Sequence, residues 1–226
     1  MRRLHVVGKH EKFVASGVYK VYAGDQPTGL IEYWSIHEVG DGAQFVRVDV
    51  DGRDFDGNST LLEALLNPDG HFERVDAHSY DTGASHPAKV SFTFFADRVE
   101  ILQTVENDVR EMAVDLPLGY HPVIDSRLLT GLAIANPDLH DVTTSYFLPV
   151  LKKPVLTWTI VDIELQALGD REIQVAGRDI AVSGYGWDSD MTVWIDRDGV
   201  AVQIETLSEN ALLTQYGRRP EPKPHA

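Results

Sequence analysis

Five Asp-Gly steps punctuate the chain: Asp41-Gly42, Asp51-Gly52, Asp56-Gly57, Asp69-Gly70 and Asp198-Gly199. Asp-Gly takes up the positive φ angles of tight hairpin turns at little cost, because glycine has no Cβ and aspartate tolerates the left-handed region. Most of these steps lie between short runs in which apolar and polar residues alternate. Turns at this density separate segments too short for helices and well sized for strands. The chain is therefore expected to be an antiparallel β protein.

Composition narrows the function classes. At 226 residues and 43% hydrophobic, the chain is long enough to bury a sizeable core without staples. It has no cysteine, which excludes disulfides, thiolate catalysis and cysteine-based zinc sites. Lys and Arg number 20 against 35 Asp and Glu, a formal charge of −15. Such a surface repels phosphate backbones, so no nucleic-acid partner is expected. Met1-Arg2-Arg3-Leu4-His5 carries two arginines, but His5, Lys9, His10, Glu11 and Lys12 interrupt any apolar stretch of an export signal. No run approaches the roughly 18–20 apolar residues of a membrane span, so no membrane insertion is expected. A cytoplasmic location is the expectation.

Along the chain, Phe13–Tyr22, Leu30–His37 and Gln44–Val50 read as a three-strand meander, with Gly24–Gly29 and Gly40–Gly42 as its turns. In the third strand Val46, Val48 and Val50 share one face, and Phe45, Arg47 and Asp49 share the other. Thr60 and Glu63 match a helix capping box, yet the strong turn Asn67-Pro68-Asp69-Gly70 makes a hairpin the better reading of Leu61–Leu66 and Phe72–Asp76. Further strands are expected at Val90–Phe94, Val99–Gln103 and Glu111–Leu116. Asp125 or Ser126 could cap a helix running through Ile134. An irregular region with Pro149 and Pro154 follows. Strands are expected again at Val155–Leu165, Glu172–Val175, Asp179–Val182, Met191–Asp196 and Val200–Thr206, the last two forming a hairpin around Asp198-Gly199. The reading is one β domain over residues 1–217, with a flexible Pro/charge tail over 218–226. No repeat is visible.

Tyr19-Lys20-Val21-Tyr22, a glycine turn at Gly29, the long meander, the central helix and the closing Trp194-Ile195-Asp196-Arg197-Asp198-Gly199 hairpin together resemble the open β half-barrel of the lipoprotein-localisation-factor type and its bacterial relatives of unknown function. The resemblance spans most of the chain. It implies a mainly β, single-domain antiparallel half-barrel or open barrel with a short inserted helix. It also implies a curved sheet wrapped around an apolar ligand, and it carries over no catalytic residue.

Strand parity supplies a candidate site. Trp194 falls opposite the Val193/Ile195 face, and Phe45 and Arg47 fall opposite Val46/Val48. An aromatic–polar sheet face must meet a second layer or a ligand. Phe45, Arg47, Trp158, Trp194 and Glu205 are the candidate ligand-binding residues, the first four expected to line a cavity beneath Ser126–Ile134. Arg47 would pair with an acidic head group or with Glu205. Core packing accounts for the same aromatics without a ligand.

Other constellations are weaker. Asp49–Asn58 crowds carboxylates around glycines as calcium loops do, but Arg53 occupies a would-be ligand position. His71, Glu73, His78 and His86 cluster without metal-ligand spacing. Ser183 and Gly184-x-Gly186 match neither a nucleophile elbow nor a dinucleotide loop. No metal and no cofactor are expected. Three functions stand: non-catalytic binding of an apolar or amphipathic small molecule, a cofactor-independent isomerase or lyase using scattered groups such as Asp162, Glu164 and Arg47, and an interaction or structural β module, with a homodimer compatible with an edge strand.

Overall fold

The computed structural model describes residues 10–81, 88–105, 108–135, 143–152, 155–187 and 190–219. The first eight strands are β1 (Lys12–Ala23), β2 (Gln26–Val39), β3 (Ala43–Gly52), β4 (Asn58–Leu66), β5 (Phe72–Asp81), β6 (Ala88–Phe94), β7 (Arg98–Val105) and β8 (Asp108–Asp115). A middle section follows: β9 (His121–Pro122), helix α1 (Arg127–Ile134), β10 (Thr143–Lys152) and β11 (Val155–Glu164). The last five strands are β12 (Gln166–Val175), β13 (Arg178–Trp187), β14 (Met191–Ile195), β15 (Ala201–Thr206) and β16 (Asn210–Arg218).

Thirteen strands form one antiparallel sheet in the order β12-β13-β14-β15-β16-β1-β2-β3-β4-β5-β6-β7-β8. The chain enters in the interior of the sheet at β1, walks out to β8, crosses over through the middle section, and returns from the far edge to pair β16 with β1. The β8 and β12 edges do not pair, so the sheet is a half-barrel rather than a closed one. The middle strands form a second sheet, β11-β10-β9.

Alternation along each strand gives the large sheet one dry face. Ile36, Val46, Ala64, Val75, Phe92 and Ile101 stand side by side across six strands, and all are buried. A second buried row runs through Trp34, Val48, Leu62, Ala77 and Val90. The helix and the small sheet cover this face. Phe147 of β10 meets Phe92 edge-on at 6.3 Å between ring centroids, and Tyr146 meets Trp187 at 4.4 Å. Gly131 of α1 sits so close to the β14–β15 hairpin that an added Cβ would come within 2.7 Å of Ala201 N and Gly199 O. Of the two expected caps, Asp125 and Ser126, the helix uses Ser126, whose hydroxyl accepts the N–H of Leu129.

Four of the five Asp-Gly glycines take positive φ: Gly42, Gly57, Gly70 and Gly199. Gly52 instead ends β3, and its carbonyl accepts the N–H groups of Phe55, Asp56 and Gly57. The first turn is also tighter than expected. It closes at Gly24-Asp25, while Gly29 lies inside β2 next to a bulge in the β1–β2 register.

Two expectations are corrected. The supposedly irregular stretch holds the strand β10. Pro149 is tolerated there because β9 pairs only with Tyr146 and Phe147, which leaves one flank of β10 without a strand neighbour at the proline among the described residues. Pro154 lies outside the described residues. The second correction is β16, which the sequence reading passed over. Its alternation is broken by a bulge opposite Val18/Tyr19, which hides the period of two. β16 runs through Arg218, and Arg219 N–H donates to Val14 O, so paired chain extends past residue 217.

Candidate functional site

At one end of the half-barrel the covering layer stops short of the sheet and leaves a cleft of about 520 Å3. The β4–β5 hairpin supplies Asn67, His71, Phe72 and Glu73 to its wall, and the β6–β7 turn supplies Phe94 and Phe95. The opposite side is built from Leu118, Tyr120, His121 and from Leu132 and Ala133 near the end of α1. Each wall has a local cause. Asn67 closes its turn by accepting the N–H groups of Asp69 and His71 on its side-chain oxygen, which places His71 at the cleft. On the other side Tyr120 is buried and its hydroxyl donates to Arg98 O at 3.0 Å, pinning the Pro117–Tyr120 turn against β7.

Two imidazoles meet in one corner. The His71 and His121 rings lie 6.0 Å apart, tilted by 39°. Behind them Tyr146 contacts the His121 ring at 6.3 Å. Tyr146 is fully buried, its hydroxyl has no hydrogen-bond partner among the described residues, and burial pushes the phenol up to about 12. The rest of the wall is largely apolar, and Leu118 stands on the rim with 82% of its surface exposed. An apolar trough with one imidazole-lined corner can hold a small amphipathic molecule. No group of three or more His, Asp or Glu among the described residues is arranged to hold a metal ion.

The residues singled out by parity lie elsewhere. Phe45, Arg47 and Trp194 are on the sheet face opposite α1, so they do not line a cavity beneath the helix. β14 and β3 are separated by four strands, so Trp194 and Phe45 stand about 24 Å apart along the sheet. Arg47 stacks on Phe45 at 4.5 Å and donates to Glu63 at 2.8 Å, which corrects the expected pairing with Glu205. Glu63 wins because β4 is the adjacent strand and Glu63 is directly opposite Arg47 in register. Trp194 and Glu205 do come together: the indole N–H donates to the Glu205 carboxylate at 3.4 Å. Trp158 sits on β11 in the small sheet, with 36% exposed surface.

The other motifs resolve into turn and surface chemistry. In the acidic loop Arg53 donates through two nitrogens to Asp51, and Asp56 accepts the N–H of Asn58. Ser183 donates to Asp170, and Ser145 donates to Asp162. His86 lies outside the described residues. His121 carried no signal in the sequence, because its segment has no periodicity and its partner His71 is fifty positions away.

Comparison with known proteins returns the fold alone. No family model matches the chain, and no curated protein matches it. Among solved structures, it is similar to a β-barrel-like protein of the domain of unknown function DUF1849 from Brucella abortus, with TM-score 0.52 and 12% identity over 92% of this chain and 99% of that one. A DUF1089 family protein from Pseudomonas aeruginosa matches with TM-score 0.44 and 11% identity over 76% of this chain and 87% of that one. The expected architecture, an open β half-barrel akin to proteins of unknown function, therefore stands. The finer comparison with lipoprotein-localisation factors finds no support in these matches.

Proposed function

We propose that the protein binds a small amphipathic molecule, without chemistry on it, in the cleft at the open end of the half-barrel. The observation that carries this reading is the His71–His121 pair placed in one corner of a trough whose wall also holds Phe72, Phe94, Leu118 and Leu132, with Asn67 and Glu73 on the β4–β5 side. The apolar body of the ligand lies against those side chains. Its polar end meets the imidazoles, each of which offers a ring nitrogen as donor or acceptor. Among the described residues that line the cleft, Glu73 is the one carboxylate and no serine, threonine or lysine is present, which favours binding over turnover. No helix among the described residues is long and apolar enough to cross a membrane.

The test is calorimetric titration with decanoate, decanol and flat aromatic acids, in wild type, His121→Ala and Leu132→Arg. One class should bind saturably, His121→Ala should weaken it about tenfold, and Leu132→Arg should abolish it through an unpaired charge against the apolar wall. Absence of saturable binding for every class would turn the exposed Leu118 rim into a protein-contact surface and the reading into an interaction module.

A further inference from the structure

A second cleft, of about 620 Å3, opens at a notch in the large sheet. It arises from unequal strand lengths. β13 pairs with β14 only through Ser183–Trp187, so Arg178–Val182 overhangs. β16 pairs with β15 only from Asn210 to Leu212, so its second half overhangs as well. Between the overhangs the β14–β15 hairpin turns back at Asp196–Val200. Val175, Ala176, Ile180 and Ala181 give the notch an apolar wall.

Its charge runs against the rest of the molecule. Three arginines, Arg178, Arg197 and Arg218, line it with two aspartates, Asp179 and Asp196, in a chain where acids outnumber bases 35 to 20. Of the two lining aspartates, Asp179 follows Arg178 directly on β13, and Asp196 is already committed. Asp196 is buried, and one of its oxygens accepts the N–H groups of Asp198 and Val200 at 2.9 and 3.0 Å. Its other oxygen accepts the Tyr216 hydroxyl at 2.6 Å. Asp198 is shared by Arg197 and Arg218. Among the described residues Arg178 forms no ion pair. Arg178 thus keeps its donors for a ligand, and a guanidinium presents them in a planar fork that matches oxyanions.

The wall beside Arg178 also carries backbone strain. The β12–β13 turn places Ala176 at φ +49° and Gly177 at φ +79°, the two positive angles of a two-residue hairpin turn. Asparagine or glycine suits the first of these positions better than alanine, and strain of this kind is kept where surrounding structure uses it. Here it sets a small apolar side chain in the cleft wall next to a guanidinium.

We propose that this notch is a binding site for an oxyanion carried on a small apolar body, a carboxylate or phosphate ester whose charged end meets Arg178 and whose body lies against Ala176 and Ile180. The site is separate from the histidine-lined cleft and does not depend on what that cleft binds.

The experiment is an amide-resolved NMR titration at low ionic strength with phenyl phosphate, benzoate and inorganic phosphate, on wild type, Arg178→Ala, Arg178→Lys and His121→Ala. Saturable shifts should map to Val175–Ala181 and Gln215–Arg218. Whichever of phenyl phosphate and benzoate binds tighter identifies the class of oxyanion, and it should bind at least tenfold tighter than inorganic phosphate. Arg178→Ala should lose tenfold or more, Arg178→Lys should recover part of that loss, and His121→Ala should be indistinguishable from wild type. Non-saturating shifts spread over all arginines, or an unchanged affinity in Arg178→Ala, would overturn the assignment.

Discussion

The carboxylate of Glu32 on β2 accepts the backbone N–H of Leu128 at 3.0 Å, joining the second strand to the first turn of a helix ninety-six positions later. Glu32 is completely buried. Its oxygens also accept the Ser126 hydroxyl at 2.9 Å and the Arg127 N–H at 3.0 Å, and the Arg127 guanidinium lies 3.9 Å away. The helix therefore docks on the sheet through an acid supplied by the sheet. An anion at a helix N-terminus is favoured by the orphan N–H groups there and by the helix dipole.

Glu32→Gln should lower stability by about 2 kcal/mol at neutral pH, because one charged acceptor is replaced by an amide whose N–H groups face other donors. The pH dependence has a definite sign. Burial raises the Glu32 carboxyl above its ordinary value, against the opposing pull of Arg127 and the three hydrogen bonds. Between the unfolded value near 4.3 and the raised folded value, the folded state holds more protons, so this group makes stability fall as pH rises through that window. Urea midpoints across the window should show that falling component in wild type and not in Glu32→Gln. Identical pH profiles would mean that Glu32 is not the titrating group.

Arg171 lies over the Trp194 ring at 3.6 Å and donates to Gln203 at 2.7 Å, which clamps β12 onto the outer face of β14 and β15. Gly184 lies directly against the same indole, since a Cβ there would approach it to 2.5 Å. Trp194 is held by a guanidinium, a glycine and Glu205, and that is a structural latch for the edge hairpin. Arg171→Ala should cost about 1 kcal/mol by removing a cation–π contact and a hydrogen bond. It should also shift tryptophan emission to the red and raise amide exchange in β12 ahead of the rest of the sheet. A wild-type exchange pattern would show that β12 needs no clamp.

Gly199 serves two constraints at once. Its φ is +80°, as the turn requires, and a Cβ at this position would meet the Cβ of Ala135 at 2.6 Å. Gly199→Ala and Gly199→Val should therefore both destabilise, by about 2 and about 3 kcal/mol, through left-handed strain and collision with the end of the helix. Gly70 is the control: it has φ +84° and open space around it, so Gly70→Ala carries the strain alone and should cost about 1 kcal/mol. If the two alanine variants have equal denaturation midpoints, the helix yields at Ala135 and the contact is soft.

The fold was legible because its signals are local. Asp-Gly turns and period-two alternation lie within a few residues of each other, and they locate β3, β4, β5, β14 and β15, although β4 begins earlier, at Asn58, and β5 runs on to Asp81. Strand β16 escaped because a bulge hides its period, and β10 escaped because Pro149 reads as a breaker until β9 is known to be only two residues long. Face parity was also readable: Val46 and Val48 are buried, and Phe45 and Arg47 oppose them. Which face the helix covers was not readable. That depends on Glu32, an acid flanked by Ile31 and Tyr33 whose buried partners lie far along the chain. The cleft was invisible for the same reason, since His71 and His121 meet only through the path of the middle section.

Tyr146 and Tyr19 present the last test. Both are fully buried, and both hydroxyls lack a partner among the described residues. Burial raises both phenols, Tyr146 up to about 12 and Tyr19 well above the ordinary range, with the Glu32 carboxylate adding to the rise for Tyr19. A buried hydroxyl without a partner costs about 1–3 kcal/mol against an apolar group of the same shape. Tyr19→Phe removes that cost with the ring left stacked on Trp34 at 6.1 Å, and it should raise the urea midpoint. Tyr146→Phe should do the same in the ligand-free protein. The two variants should then part company in the presence of the ligand that fills the histidine-lined cleft. The Tyr146 ring packs against His121 at the imidazole corner, so loss of its hydroxyl should weaken binding a few-fold, whereas Tyr19→Phe should bind as wild type does. Destabilisation in both variants would mean that each hydroxyl has a solvent partner inside the fold, and equal binding in both would place the polar end of the ligand away from Tyr146.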